Sequence, residues 1–411
     1  MIASDADVRS APSQFYVDLE DALGAHNYDP LDVVLERGEG VWVYDVEGRK
    51  YLDCLAAYSA VNLGHRHPAV LQALFDQASR ITLTSRAFRN DQLPLLYRSL
   101  HELTGMHMTL PMNSGTEAVE TAIKAARKWG YAVKGIPEDH AEIIVCSGNF
   151  HGRSLAIISF SSEPQYRRGF GPFLSGFRTI PFGDVSALEQ AITPNTCGFL
   201  VEPIQGEAGI IIPPPDFLRR ASEVCSRHRV LLIADEIQSG LGRTGRLFAY
   251  MHSGITPDVL ILGKTLGGGC YPISAVLASR EVLGVFQAGD HGSTFGGNPL
   301  GCAVARAALR AIQVEKLAER SAELGDYFLA QLRLLTNPRI REIRGKGLWI
   351  GLEMENAARP YGEALMREGV LCKDTHRNVI RMAPPLIITR DEIDWALTRI
   401  RRVMDGPGPP A

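Results

Sequence analysis

Between residues 141 and 278 the chain alternates short, β-branched apolar runs with stretches of helical spacing. "AEIIVC", "LAIISFS", "FRTIPF", "GFLVEPI", "VLLIADEI", "DVLILG" and "ISAVLA" are each bounded by Gly, Pro or Asp or lie close to one. Runs apolar throughout belong in strands covered on both faces, and strand, helix, strand in series demands a mostly parallel sheet with helices on both sides. "PDFLRRASEVCSRHR" is one such intervening helix, its apolar residues on a single face. Sheets of this class bind ligands beyond the carboxyl ends of their strands. The chemistry should therefore sit where these strands stop.

The flanks read differently. "MNSGTEAVETAIKAARKWG" predicts a helix capped by Ser114, with Glu117 completing a capping box. After about Asn298, "CAVARAALRAIQVEKLAERSAELGDYFLAQL" predicts long helices. Short strands in "GKGLWIGLEM" and "NVIRMAP" and a last helix over 390–404 follow. A chain of 411 residues is long for one core. The expected division is an N-terminal segment (1–50), a large α/β domain (51–300), a smaller α+β domain (301–405) and a disordered tail (406–411). The hairpin signal "GVWVYDVEGRKYLD" places the N-terminal segment against the small domain.

A net charge of -3 excludes the basic field of a nucleic-acid binder. No run of about 18 apolar residues offers a membrane span. The seven cysteines form no CxxC and fall mostly in apolar stretches, which predicts buried free thiols in a reducing compartment. "MIASDADVRSAPSQ" has neither the apolar core of a secretory signal nor the Arg-rich pattern of a transit peptide, so the expected address is cytoplasmic. "GHRHP" gives His65 and His67 a metal-like spacing, but no third ligand stands out, and loop packing is expected instead.

One strand, "DVLILGKTLGGG", stops on a lysine. A phosphate-gripping loop would need glycine five positions before Gly263, where Asp258 stands, and Val-Leu-Ile-Leu follows. The alternative is a lysine that bonds covalently to an aldehyde cofactor. Such an amine must be rigidly held and partly desolvated, and Gly267 to Gly269 leave room for a flat ring. "LLIADEI" puts Asp235 at the end of a companion strand, where a buried carboxylate needs a cation. The protonated ring nitrogen of pyridoxal phosphate is such a cation. Gln238 lies within reach of the ring's 3-oxygen. Ser114, Gly115 and Thr116 offer backbone N–H groups at a helix N-terminus for the phosphate, with Glu117 expected to point away. In "NFHGR", Phe150 can lie on the ring and Gly152 permits close approach.

"NSGTEAVETAIKAARKWGY", "NFHGR", "VEPIQGEAG", "LLIADEIQSGLGRTG", "LGKTLGGGCYP" and "HGSTFGGNPLG" resemble, in this order, the class III pyridoxal-phosphate aminotransferases of fold type I, over roughly residues 26 to 400. Within the class the chain resembles the enzymes that move the δ-amino group of ornithine to 2-oxoglutarate. The resemblance implies that Lys264 holds the cofactor covalently and, once released, carries a proton. It implies that Asp235 pairs with the ring nitrogen, Gln238 with the 3-oxygen, Phe150 stacks, His151 lies beside the cofactor, and Gly115 and Thr116 grip the phosphate. Thr294 is implied to reach the phosphate of a second subunit, hence a homodimer with shared sites. Tyr28 ("AHNYDP"), Tyr58 ("AAYSAVN") and Arg153 are implied to receive ornithine. Arg381 is implied to take the α-carboxylate of glutamate, with Glu207 as the gate that neutralises it. Glu202, in the same stretch as Glu207, is expected to support rather than contact the reaction. His151 stands where some ornithine enzymes carry tryptophan, which keeps acetylornithine, 4-aminobutyrate and other ω-amines open as donors. A non-catalytic pyridoxal-phosphate-binding regulator is the competing reading from another class, opposed by Lys264, Asp235 and both arginines.

Overall fold

The computed structural model describes residues 11–406. A helix, Ser13–Leu23, buries none of its residues. Three antiparallel strands follow, β1 (Leu35–Glu39), β2 (Trp42–Asp45) and β3 (Lys50–Asp53). The expected hairpin is β2–β3, with Trp42 opposite Leu52. The expected boundary at residue 50 falls at the start of β3, so this strand goes with the N-terminal hairpin.

The central sheet contains β4 (Met108–Met112), β5 (Glu142–Cys146), β6 (Phe177–Ile180), β7 (Thr196–Val201), β8 (Leu231–Asp235), β9 (Val259–Leu262) and β10 (Ser274–Ala278). Their order is β4-β10-β9-β8-β7-β5-β6. All pairings from β6 through β9 are parallel, and β10 alone runs against its neighbours. Alternation along each strand feeds two apolar layers. Ile143, Leu200, Ile233 and Ile261 face the helix Gly115–Trp129, whereas Phe199, Leu232 and Leu260 join Phe217, Leu218 and Ala221 of the helix Phe217–Arg227. Burial on both sides is why these strands read as continuous apolar runs.

Two elements depart from the reading of the sequence. β4 is not apparent in it because Pro111 breaks its pattern, and it lies at the sheet edge, where a missing N–H is tolerated. "LAIISFS" is not a strand. Leu155–Ile158 forms one helical turn that packs Ile157 into the layer around the helix Gly115–Trp129. An apolar run this short carries no period that separates helix from strand.

The C-terminal part has helices Pro299–Val314, Leu317–Leu332 and Arg390–Met404. Strands β11 (Ile340–Gly345), β12 (Ile350–Met354), β14 (Lys373–Thr375) and β15 (Val379–Met382) form an antiparallel sheet in the order β11-β12-β15-β14. The two-residue β13 (Val370–Leu371) pairs with β3, so the C-terminal part completes the N-terminal sheet. Residues 407–411 of the expected disordered tail lie outside the described residues. His65 and His67 bond Asp53 (2.8 Å) and Glu315 (2.7 Å) respectively. All seven cysteines are free, and all but Cys270 are buried. Among the described residues no helix is long and apolar enough to cross a membrane.

The predicted capping box is present. Ser114 Oγ accepts the Glu117 N–H (3.2 Å), and the Glu117 carboxylate accepts the Ser114 N–H (2.7 Å). Replacing Ser114 with alanine is expected to remove about 1 kcal/mol, read as a lower thermal midpoint of the apoprotein; an unmoved midpoint would show that the cap contributes nothing.

Candidate active site

A cavity of about 410 Å³ opens where β8 and β9 end. β8 terminates on Asp235. β9 runs through Gly263 into Lys264, whose φ of 44° lies in the left-handed region. Burial lowers the Lys264 ammonium to about 8, assisted by Arg381 and opposed by Glu207. A substantial fraction of neutral amine therefore exists near neutral pH, as a nucleophile requires.

Asp235 is buried, and its Oδ1 accepts the Ile237 N–H (3.0 Å). Its Oδ2 lies 2.7 Å from Nδ1 of His151. Burial disfavours a charged His151, but its hydrogen bond to Asp235 and the charges of Asp235 and Glu202 outweigh this and raise its pKa. Sequence reasoning gave Asp235 a single partner, the ring nitrogen; the fold supplies a second, His151. Glu202 is buried beside them and is raised to about 7 by desolvation, with Asp235 adding to it. Its oxygens accept the N–H groups of Phe150 (2.9 Å) and Gly206 (3.3 Å), which holds the "NFHGR" loop in place.

The helix Gly115–Trp129 aims its N-terminus at the cavity, and Gly115 and Thr116 line it. Ser114 does not; its hydroxyl and N–H are engaged with Glu117. Glu117 accordingly folds back on Asn113 and Ser114, leaving the amides of Gly115 and Thr116, which have no carbonyl one turn earlier, to an anion. Gly152 (φ 122°) forms the wall facing Thr116. A Cβ there would stand 2.3 Å from Thr116 Oγ1, so only glycine leaves that hydroxyl its place. His151 Nε2 is buried without a partner. A depressed lysine, a buried carboxylate between the strands, a bare helix N-terminus and a glycine wall fit pyridoxal phosphate.

Three further residues close a triangle. Arg381, fully buried, donates from Nη1 to Glu207 Oε1 (2.7 Å) and from Nη2 to Gln238 Oε1 (2.8 Å). Gln238 Nε2 donates to the same Glu207 oxygen (3.0 Å). Burial alone would raise Glu207, but the charges of Arg381 and Lys264 and its hydrogen bonds hold it down at about 2. The Tyr58 ring lies 5.1 Å from the Arg381 guanidinium carbon and 5.9 Å from Lys264 Nζ. At the opposite, outer side Arg153 stacks on Tyr166 (4.4 Å), Phe150 (5.9 Å) and Tyr28 (6.0 Å). Among the described residues Arg153 pairs with no carboxylate, and Tyr28 is largely exposed.

Of the residues singled out in the sequence, Lys264, Asp235, Gly115, Thr116, Phe150, His151, Gln238, Tyr28, Tyr58, Arg153 and Glu207 line this one cavity. Arg381 joins it through Glu207. Thr294 is exposed and lines none of it. Missed in the sequence were Tyr166, which lies under Arg153, and the bridging role of Gln238. No local signal marks either residue.

A family model described as aminotransferase class-III matches residues 23–404. The ornithine aminotransferase of Brevibacillus brevis is 59% identical over 388 residues, covering 94% of this chain and 97% of that protein. This chain is a class III aminotransferase. It is a pyridoxal-phosphate-dependent transaminase of fold type I. In structure it is similar to the ornithine aminotransferase of Toxoplasma gondii, described with pyridoxal phosphate at partial occupancy in its active site (TM-score 0.95, 44% identity, 97% of this chain and 95% of that one). It is also similar to an acetylornithine aminotransferase from Elizabethkingia anophelis (TM-score 0.88, 47% identity, 96% and 99%).

The depressed amine has a direct readout. Labelling of Lys264 in the apoprotein by an amine-reactive reagent, followed by mass spectrometry, should climb close to tenfold per pH unit and level off near pH 8. A rate still climbing past pH 10 would mean an ordinary, solvated lysine.

Proposed function

We propose that this transaminase is an ornithine δ-aminotransferase: L-ornithine gives its δ-amine and leaves as glutamate 5-semialdehyde, which cyclises to pyrroline-5-carboxylate, and 2-oxoglutarate becomes L-glutamate. The observation that carries the reading is the asymmetry of the two arginines. Arg381 is neutralised by Glu207 and also bonded to Gln238, whereas Arg153 meets no carboxylate among the described residues. A substrate carboxylate therefore goes to Arg153 and Tyr28 at the outer side, since a free guanidinium binds a carboxylate in bidentate fashion. A donor anchored there by its α-carboxylate presents its far amine, not its α-amine, to Lys264. The ornithine aminotransferases among its relatives point the same way.

Bound pyridoxal phosphate supplies an aldehyde that takes up the amino group and a ring that draws electrons from the carbon losing its proton. Asp235, bonded to His151 Nδ1 (2.7 Å), faces the inner end of the site, where it can hold positive charge. Neutral Lys264 Nζ accepts the proton from the donor carbon and returns one on the far side of the transfer. While paired with Arg381, Glu207 is held at about 2 and is ionised, so the closed gate is a full ion pair. It opens by rotation. 2-Oxoglutarate carries a carboxylate at each end, and its α-carboxylate displaces Glu207 from Arg381.

An acylated donor keeps the α-carboxylate, and the likeness to the acetylornithine enzyme makes that the second reading. Replacing Tyr28 with phenylalanine tests the anchor the two donors share: kcat/KM should fall about tenfold with either, the size of one hydrogen bond to a charged group, and an unchanged value would remove Tyr28 from the carboxylate site. The donors are separated in the native enzyme, where kcat/KM for ornithine should exceed that for N-acetylornithine; the reverse order would refute the ornithine reading.

The homodimer belongs to the same proposal. Thr294 of one protomer would serve the phosphate site of its partner, and exposed Phe88 and Phe295, with Phe15, Leu19 and Leu23 on the N-terminal helix, supply apolar surface for the contact. Sedimentation of the holoenzyme should give twice the chain mass. The seven free cysteines support a cytoplasmic address.

A further inference from the structure

Residues 24–34 form neither helix nor strand, and residues 24–30 are exposed throughout. Tyr28 stands in this stretch, 72% exposed, yet it lines the cavity beside Arg153. Ordering an irregular, exposed loop costs conformational entropy at every residue, so a specific attachment must hold it. That attachment lies in the C-terminal part. Arg359 donates from Nη1 to the Asp29 carbonyl (3.0 Å) and from Nη2 to the Pro30 carbonyl (2.5 Å). Its Nε donates to Glu363 Oε1 (3.0 Å), which sets the plane of the fork, and Lys373 donates to the Asp29 carbonyl as well. Arg359 opens the helix Arg359–Arg367, where the helix dipole disfavours a cation, so the helix itself gives no reason for an arginine there. The two carbonyls do.

The chain between the fork and Tyr28 is stiff. Pro30 has its φ fixed by its own ring, and it confines Asp29 to extended backbone. With both carbonyls held, few torsions remain between the clamp and the Tyr28 side chain. Lys373 also stands opposite Arg381 in the register of β14 and β15, so one sheet carries the inner arginine and a grip on the outer tyrosine. We propose that Arg359 is a positioning residue for the outer carboxylate anchor: its fork holds residues 28–30 so that Tyr28 stays beside Arg153, where the α-carboxylate of ornithine docks. The substrate in this statement rests on the ornithine reading; the clamp does not. Without the fork the loop disperses and Tyr28 leaves Arg153. The anchor then keeps its guanidinium and loses its hydroxyl.

The test uses holoenzyme carrying Arg359→Gln, which loses charge and fork, or Arg359→Lys, which keeps the charge alone. Fluorotyrosine-labelled protein is observed by fluorine NMR, the Tyr28 signal being assigned by its loss in Tyr28→Phe. In both variants that signal should move toward the position of free fluorotyrosine and sharpen. In parallel, kcat/KM for ornithine should fall about tenfold, the effect of one lost hydrogen bond to a charged group. Made on top of Tyr28→Phe, Arg359→Gln should change kcat/KM no further, because two residues that act through one contact are not additive. An unmoved Tyr28 signal overturns the proposal. So does an equal loss with and without the Tyr28 hydroxyl, the mark of a merely structural role, or an Arg359→Lys variant that behaves like the native enzyme. Should Tyr28→Phe by itself leave kcat/KM unchanged, the anchor reading falls alone, since the NMR arm still reads the clamp.

Discussion

Asp235 and Arg381 are buried at the inner end of the site, and a charge placed there must find a partner inside the protein. That single constraint organises the site. Lys264 responds by losing much of its proton affinity, Asp235 by pairing with His151, and Arg381 by binding Glu207 and Gln238 together. A buried charge without such partners would carry a desolvation penalty of several kcal/mol. Arg243 shows the other solution. It is fully buried with no carboxylate bonded to it, and donates to the carbonyls of Leu348 (2.8 Å) and Pro384 (2.7 Å) and to Asn62. Burial lowers it to about 9. Its bonds tie the large sheet's loops to the segment that follows Arg381.

The two halves of a transamination make opposite demands on this arrangement. In the proposed mechanism the donor half needs Arg381 silent, and the acceptor half needs it open to a carboxylate. Gln238 makes the exchange feasible, because its amide both receives from Arg381 and donates to Glu207. When Glu207 turns away, Arg381 still keeps one oxygen partner in place. The guanidinium is then one acceptor short, which an incoming carboxylate can supply. Backbone strain contributes as well. Tyr58 and Lys264 both sit in left-handed conformations, which cost roughly 1–2 kcal/mol per residue and aim both side chains into the same space.

Much of this was legible in the residues. Lys264 at the end of "DVLILG" and Asp235 at the end of "LLIAD" follow from the rule that such sheets work at their strand ends, and the capping box from Ser114 and Glu117 three residues apart. The family motifs supplied Glu207 and Arg381, whose separation along the chain defeats any local pattern. Ser114 was assigned to the phosphate, yet the same capping box that reveals the helix takes its N–H away. His151 was read as a neighbour of the cofactor; it lines the cavity, and its Nδ1 in addition meets Asp235. Both contacts escaped the sequence for one reason: a polar group's partner is chosen in three dimensions.

The order of apolar runs, the turn residues and the charge-bearing positions were determined by the chain alone, because burial pattern and backbone preference act over a few residues. The pairing of Gln238 with both members of the gate, the stacking of Arg153 on Tyr166, and the bond from Thr265 to a turn some two hundred positions earlier were decided only on folding. Hydrogen bonds and ion pairs act over about 3 Å and have no memory of separation along the chain. Which groups meet at that range is a property of the packed sheet.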